Sequence, residues 1–391
     1  MTGATGGSTA GDPSRGDPAG RSPARSEPAG GDDSAEDLID RSRPVRSEDA
    51  VDVAALHTWL AGRVPELPEG PVLTQFPGGV SNLTFLMQYP DREYVVRMPP
   101  RGRKAASSHD MGREVRVLEA LSGRFPVPDV VADCPTSDVI GLPFYVMERL
   151  RGVILRSDPP PGLDLSEANA RVLAGRMIDL LADLHAIDVD QVGLRSLDHG
   201  PGYVDRQVQG WSRRFRQAMT DDVDPGIDVM EWLASHQPDD VRRCLIHNDW
   251  RLDNLVLDPS DPGRVIGVLD WEMATVGDPL MDLGSALAYW VQSDDDEAFK
   301  VFRRQPSHLP GMPTRDEIVS RYMERAGIGA DTLGAAGFRF YEVFGLFRLA
   351  VIVQQVYYRY VNGQTSNPAF ANFGMAVTLL NQRCRSLIEA T

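Results

Sequence analysis

The sequence predicts an α+β chain of two unequal lobes: a small antiparallel-sheet N-lobe with one helix, then a larger, mainly helical C-lobe that carries a β-hairpin. Three observations lead there. Between residues 71 and 147, short β-branched and aromatic runs alternate with Gly, Pro and Asp turns, around one amphipathic stretch. Beyond residue 152, apolar residues recur mostly at helical spacing. The exception is 254–270, where LVLD, PSDPG and RVIGVLD read as strand, turn and strand directly after the eight residues HNDWRLDN (247–254).

In chain order, residues 1–48 hold almost no large apolar side chains and many helix breakers. They are expected to form a disordered tail, unable to bury enough surface to offset the entropy of ordering. The N-lobe is expected over 49–150. It opens with a helix on which Val51, Leu56, Trp59, Leu60 and Val64 fall near helical spacing. Strands follow at 71–74, 84–87 and 93–97, parted by Gly78-Gly79 and Pro90-Asp91-Arg92. A helix at 110–121 presents Val115, Leu118 and Leu121 on one face, and two more strands are read at 126–131 and 143–147. The C-lobe, 151–391, is expected to contain helices at 166–187, 204–219, 228–236, 279–291, 315–326, 333–360 and 367–387 around the hairpin.

Composition narrows the partners. The 391 residues are 42% hydrophobic and 25% charged, enough for two real cores. A formal charge of −16 with no basic patch opposes nucleic-acid binding. The acid-rich runs at 31–40 and 294–297 read as solvated surface. Cys134, Cys244 and Cys384 are far apart and form no CxxC pair, so neither a disulfide framework nor a zinc site is expected, and a reducing cytoplasm is the simpler setting. The N-terminus lacks an apolar signal core, and the most apolar run, 344–360, is broken by Arg348, Gln354 and Gln355. It reads as a buried helix and not a membrane span.

The chemistry sits in HNDWRLDN. A metal–nucleotide site needs an acceptor for a hydroxyl proton, oxygen ligands for Mg²⁺, and cations for phosphate oxygens. Asp249 could take the proton, Arg251 could reach the transferring phosphate, and Asn254 could offer its amide oxygen to the metal. Asp270, at the end of the hairpin's second strand, supplies a second oxygen ligand, because a hairpin returns the chain to its start and sets the two side by side.

His247-Asn248-Asp249 with Asn254 has the spacing of the protein-kinase catalytic loop H-R-D-x-x-x-x-N. The fuller run 245–284 resembles the aminoglycoside phosphotransferase (APH) family, and within it the branch that includes kinase-like domains fused to some acyl-CoA dehydrogenases. The likeness covers most of 70–380, with further matching segments at Gly78-Gly79-Val80-Ser81-Asn82, at 94–100, at Arg113-Glu114 and at 143–148. It implies a protein-kinase-like two-lobed fold and transfer of a nucleotide's γ-phosphoryl to a small-molecule hydroxyl, with Mg²⁺ as cofactor and ATP or GTP as co-substrate. By position, Asp249 matches the catalytic base, Arg251 the cation beside the γ-phosphate, and Asn254 and Asp270 the metal ligands. Gly79, Ser81 and Asn82 match the loop over the phosphates. Arg97 stands at the clamping lysine and Glu114 at its partner. Glu148 and Leu150 match the hinge that meets the adenine edge.

This chain departs from the pattern at three points. The loop has a Gly-Gly pair and no GxGxxG, the clamp is arginine with Arg101, Arg103 and Lys104 as rivals, and Asp-Trp-Glu replaces Asp-Phe-Gly at 270–272. The last change implies a constitutively formed site. Other polar residues have structural readings: His247 as a brace of the loop, His185 as core, Asp278 and Asp282 as caps or braces, with Asp278 also within reach of substrate. Glu272 either touches the acceptor or anchors a helix. Tyr203, Trp211 and Trp232 either line an acceptor pocket or fill the core. The acceptor stays open between a polycationic antibiotic and a hydroxylated acyl or other metabolite. The alternative to an enzyme is a catalytically inactive nucleotide-binding module acting through a protein partner.

Overall fold

Alternation of side chains across five strands builds the smaller lobe. The computed structural model describes residues 36–77, 82–100 and 111–390, and all statements below concern these. Strands β1 (Val72–Gln75), β2 (Leu83–Gln88), β3 (Glu93–Met98), β4 (Val130–Cys134) and β5 (Phe144–Glu148) form an antiparallel sheet in the order β1-β2-β3-β5-β4. Phe85, Val96 and Val146 face one core with Leu56 and Leu60 of α1 (Val53–Ala61). Val95, Tyr145 and Met147, one residue out of step, face a second core with Val115 and Leu118 of α2 (Met111–Leu121).

Two expectations for this lobe need correction. The strand placed at 126–131 begins only at Val130. Pro126 and Pro128 have no N–H for a ladder, and Pro126 instead offers its carbonyl to Val268 N–H at 2.8 Å. The expected tail at 1–48 is also too long. Residues 1–35 lie outside the described residues, but from Glu36 the chain straps the sheet edge: Arg43 and Gln75 exchange two backbone hydrogen bonds of 2.8 and 2.7 Å, and Ser42 Oγ meets Thr74 Oγ1 at 2.7 Å. Polar pairs fasten this strap, with Ile39 buried and Leu38 and Val45 packed on the two cores, too few apolar side chains for an argument from composition to find it.

The larger lobe is helical: α3 (Glu167–His185), α4 (Tyr203–Gln217), α5 (Ile227–Ser235), α6 (Pro279–Leu287), the single turn α7 (Glu297–Lys300), α8 (Arg315–Ala326), α9 (Arg339–Val361) and α10 (Phe373–Glu389). Local chemistry sets the ends. Thr314 and Glu317 close a reciprocal capping box on α8, and Gly327 ends it at φ +64°. Helix α9 starts six residues later than expected at 333, beyond Gly337 at φ +61°. Helix α6 stops at Leu287 instead of 291, because Tyr289 and Trp290 N–H turn to carbonyls three residues back.

The expected hairpin is present as β7 (Leu255–Asp258) and β8 (Asp261–Val268). A second pair was not anticipated: β6 (Cys244–Ile246) with β9 (Thr275–Gly277), strands too short to show a period. Val153, just past β5, exchanges backbone hydrogen bonds of 2.9 and 2.8 Å with Leu257, which docks the inter-lobe hinge on the hairpin. Gly152 permits this approach, since a Cβ there would sit 2.4 Å from Leu257 O.

Helices α6 and α9 cross at glycine: a Cβ on Gly345 would lie 2.0 Å from Gly284 O, and one on Gly284 2.3 Å from Tyr341 O. Backbone cannot yield there as a side-chain tip can. Gly345→Ala is therefore expected to lower stability by about 1–3 kcal/mol, read from the urea midpoint; an unchanged midpoint would refute this close crossing.

Candidate active site

The loop 247–254 leaves β6 and enters β7, and it is held from behind before any of its side chains faces the cleft. Asp282 on α6, with no solvent exposure, accepts His247 N–H at Oδ2 and Asn248 N–H at Oδ1, both at 2.8 Å. Its Oδ2 also takes the Nε2–H of His185 at 3.1 Å, while Tyr322 donates its hydroxyl to His185 Nδ1 at 2.6 Å. Burial alone would raise the Asp282 pKa, but these donors and the neighbouring imidazoles hold it below the usual carboxylate value. His247 braces the loop as expected: Asp249 N–H donates to Nδ1 at 3.2 Å and Nε2–H donates to Leu269 O at 2.9 Å, a pattern that defines its tautomer.

Asn248 adopts φ +65°, a left-handed conformation uncommon outside glycine. Bonds from three elements maintain it: Arg348 of α9 to its carbonyl (2.8 Å), Tyr203 of α4 to Oδ1 (3.3 Å), and Nδ2 to Met273 O (3.0 Å). Tyr203 thus supports the loop, and neither it nor Trp211 nor Trp232 lines the cleft described below. Trp211 is buried under Arg348, and Trp232 stacks on His236 and Phe340.

On the open side, Asn254 Nδ2 donates to Asp249 O at 2.8 Å and to Asp249 Oδ2 at 3.0 Å. Both bonds use the amide nitrogen, so the oxygen is the atom suited to a cation. Leu269 N–H bonds Asn254 O at 2.8 Å, which brings Asp270, at φ +67°, beside the loop. Arg251 lies 3.3 Å from Asp249 and 3.2 Å from Asp253, with its guanidinium 4.9 Å from the Tyr289 ring centre.

Arg97 of β3 reaches across the lobes. It contacts Glu114 of α2 at 3.2 Å and Asp270 at 2.9 Å, and it is only 7% exposed. Burial opposes its charge, yet the two carboxylates outweigh that cost and keep it firmly protonated. Asp270 is held below the usual carboxylate range: burial pushes it up, and Arg97 pulls it further down. Glu114 is raised by burial, which Arg97 offsets only in part. Among the described residues Arg97 is the cation paired with Asp270; the rivals Arg101, Arg103 and Lys104 lie outside the described residues, as do Gly79 and Ser81. Asn82, the last member of the expected phosphate loop, donates to Glu272 Oε2 at 2.7 Å, so Glu272 joins the lobes. Trp271 is fully buried, with its indole N–H on Val268 O and its ring 4.7 Å from that of His247, a fixed wedge.

Asn82, Arg97, Asp249, Arg251, Asn254, Asp270 and Glu272 line one inter-lobe cavity of about 490 Å³. Its inner walls are apolar, with Val95 and Met147 from the sheet and Val256 and Leu269 from the hairpin. Glu148 and Leu150 lie at its hinge end, where the Glu148 N–H is already bonded to Asp129 O at 2.9 Å. Asp278 is not part of it: fully buried, it caps α6 through Leu280 and Met281 N–H and takes Val241 N–H at 2.6 Å, and burial pushes it up to about 6. Sequence reasoning missed Arg156, Tyr289 and Arg348 as lining residues, because no local motif marks them, and it assigned no role to Arg149 within the hinge segment. Asp253 carried a signal, its place beside Asn254. A larger groove of about 900 Å³ opens elsewhere, near Asp188, Asp198 and Arg243, and contains none of the loop carboxylates.

The donor set fits Mg²⁺. Asn254 and Asp270 offer hard oxygens, and among the described residues no cluster of three or more His, Cys, Asp or Glu could hold a metal alone, so nucleotide phosphates would complete the shell. Asn82 Oδ1 and Arg97 Nε are buried without a hydrogen-bond partner, and Arg251 Nε faces Asp253 Oδ1 at 3.2 Å, buried polarity suited to a charged ligand.

A five-stranded lobe, a helical lobe and this cleft between them define a protein-kinase-like phosphotransferase. The chain belongs to the phosphotransferase enzyme family (APH), which residues 72–318 match. Acyl-CoA dehydrogenase family member 10 of Mus musculus is 36% identical over 332 residues, 84% of this chain and 30% of its own length. Family member 11 of Homo sapiens is 35% identical over 318 residues, 80% of this chain and 40% of its own. The chain therefore spans well under half the length of these curated relatives. Among solved structures, a Ralstonia eutropha JMP134 protein assigned as an aminoglycoside phosphotransferase aligns with TM-score 0.72 and 29% identity, over 86% of this chain and 98% of its own. Aminoglycoside phosphotransferase APH(4)-Ia, in a ternary complex with AMP-PNP and hygromycin B, shares the fold at TM-score 0.55 and 17% identity, over 87% of this chain and all of its own. No helix among the described residues is long and apolar enough to cross a membrane.

The buried His185 gives a pH signature. Burial pushes its pKa below the free value of 6.5, against the pull of Asp282. Unfolding then takes up a proton, so stability is intact above that value and falls as pH drops beneath it. Asp278 acts in the opposite sense near pH 4–6, so variant and parent must be compared. His185→Gln is expected to flatten the decline of the urea midpoint between about pH 6.5 and 5; an identical slope would contradict a neutral buried imidazole.

Proposed function

We propose that this chain transfers the γ-phosphoryl of a nucleoside triphosphate, ATP or GTP, to the hydroxyl of a small molecule, with residues 49–150 as the nucleotide lobe and 151–391 as the acceptor lobe. The observation that carries this reading is that Asp249 is bonded to Asn254, Asn254 to the residue before Asp270, and Asp270 to Arg97, all along one inter-lobe cleft. The base would lie between Val95 and Leu269, with its edge at the Glu148 carbonyl and the Leu150 N–H. Asn254 and Asp270 would hold Mg²⁺, which when bound neutralises phosphate charge. Arg251 would balance charge on the transferring group, while Asp249 orients the acceptor hydroxyl and takes its proton. Gly79, Ser81 and Asn82 would cover the phosphates.

The charge of the cleft informs the acceptor. Five arginines (97, 149, 156, 251 and 348) face six carboxylates (40, 148, 249, 253, 270 and 272) among its described lining residues, so the overall acidity is not concentrated there. That balance favours a hydroxylated metabolite over a polycationic antibiotic. Three buried free thiols fit a reducing cytoplasm. The inactive-module alternative draws on the Arg97–Asp270 bond, which occupies a metal ligand; turnover separates the two.

Asp249→Ala is expected to cut kcat by about 10²–10⁴ in a coupled ADP-release assay across a hydroxylated-metabolite panel, while Mg²⁺–nucleotide affinity holds. Asp270→Ala should weaken that affinity as well. Parent-like turnover in Asp249→Ala would remove the base assignment, and nucleotide binding with no turnover for any acceptor would favour the module.

A further inference from the structure

The N-terminal strap enters the cleft at one carboxylate. Asp40 N–H bonds Gly152 O at 3.3 Å, its carbonyl accepts Arg149 Nη2 at 2.8 Å, and its side-chain oxygens take the two Nη groups of Arg156 at 2.7 and 3.2 Å. The strap is pinned on both sides of this point, by Glu36 with Arg151 at 2.7 Å and by the Arg43–Gln75 pair. Three independent fastenings on one residue place its carboxylate firmly: the Asp40 side chain is 14% exposed and lines the same cavity as Leu150, Asp253 and Asn254.

Position along the cleft tells what it would meet. The apolar slot for a base lies at the hinge, beside Leu150, and the oxygen donors for the metal and phosphates lie at Asn254 and Asp270. A nucleotide that spans the two must have its sugar between them. Arg156 occupies that span, since it grips Asp40, which is tied to the hinge at Gly152, and also feels the carboxylate of Asp253, the neighbour of Asn254. A carboxylate has about four acceptor sites on its two oxygens, and Arg156 uses one on each.

Resting on the nucleotide reading of this cleft, we propose that Asp40 is the sugar-recognising residue, contributed by the strap from outside both lobes, and that its carboxylate accepts hydrogen bonds from the vicinal hydroxyls of the nucleotide ribose. Both oxygens keep a lone pair for such donors while Arg156 fixes their direction. The lobes supply base slot and phosphate end; the strap closes the remaining side. Nucleotide affinity then depends on a segment held to both lobes by polar pairs at one sheet edge and the hinge and by a few apolar side chains, Leu38, Ile39 and Val45.

The test is calorimetric binding, in the full-length chain with Mg²⁺, of ADP and GDP against their 2′-deoxy and 3′-deoxy counterparts. The parent is expected to prefer the ribonucleotide about tenfold, the size of a charge-assisted hydrogen bond. Asp40→Ala and Asp40→Asn are expected to bring that preference close to one with little change in deoxynucleotide affinity. Asp40→Asn keeps a carbonyl for Arg156, so it guards against a strap that simply detaches, and melting temperatures of all three proteins report on that directly. Ribo- and deoxynucleotide affinities falling together with the preference retained would leave Asp40 a fastening only and overturn the proposal. A parent that binds both sugars equally overturns it while sparing the nucleotide reading; a parent that binds no nucleotide overturns both.

Discussion

The guanidinium of Arg97 is buried between two carboxylates, Glu114 from the small lobe and Asp270 from the large one. Removing three charges from water is costly, and the cost is repaid only while all three stay in contact. The arrangement therefore constrains what surrounds it. The β3 strand must present residue 97 inward, α2 must place Glu114 over it, and the hairpin must end with Asp270 turned toward the sheet. With one cation for two anions, this trio also keeps a net negative charge at the point where a divalent ion would bind, and an incoming metal must share Asp270 with the arginine or displace it.

Strain is concentrated where that constraint meets the loop. Asn248 and Asp270 both hold left-handed backbone, at φ +65° and +67°, one residue from Asp249 and one from Leu269 respectively. Such conformations persist when the surroundings over-determine them. Here Asp282 supplies the anchor, with two backbone N–H groups of the loop and one imidazole on a single buried carboxylate, while Arg348 and Tyr203 hold the far side of Asn248. The helices of the large lobe thus position Asp249 through hydrogen bonds, from Asp282 and Tyr203 behind the loop and from Arg348 at the cleft wall.

Much of this was legible in the sequence where local rules decide. Helix α8 lies where its Thr314 capping box and Gly327 stop place it, and the turn PSDPG marks the hairpin. Asn254 beside the Asp270 segment was expected from the hairpin, His247 as brace from the loop motif, and the pairing of Arg97 with Glu114 from the family resemblance. What escaped depends on long-range contact. Strands β6 and β9 have three residues each, too few for a period; the strap of residues 36–48 is fastened by polar pairs that composition treats as solvent-exposed and by only a few apolar side chains; and Arg156 and Arg348 reach the cleft from segments with no chemical signature. Asp278, read from the sequence as a cap or brace that could also reach the substrate side, is a helix cap, since N–H groups claim both of its oxygens.

The central claim is that the inter-lobe cleft, and not the larger groove by Asp188 and Arg243, holds a metal–nucleotide pair between Asn254 and Asp270. Crystals grown with Mn²⁺ and a non-hydrolysable nucleoside triphosphate test it through the anomalous signal of manganese. The account predicts one strong peak in contact with Asn254 Oδ1 and an Asp270 carboxylate oxygen, with the base between Val95 and Leu269. A peak elsewhere, or a nucleotide seated outside the cleft, would contradict it.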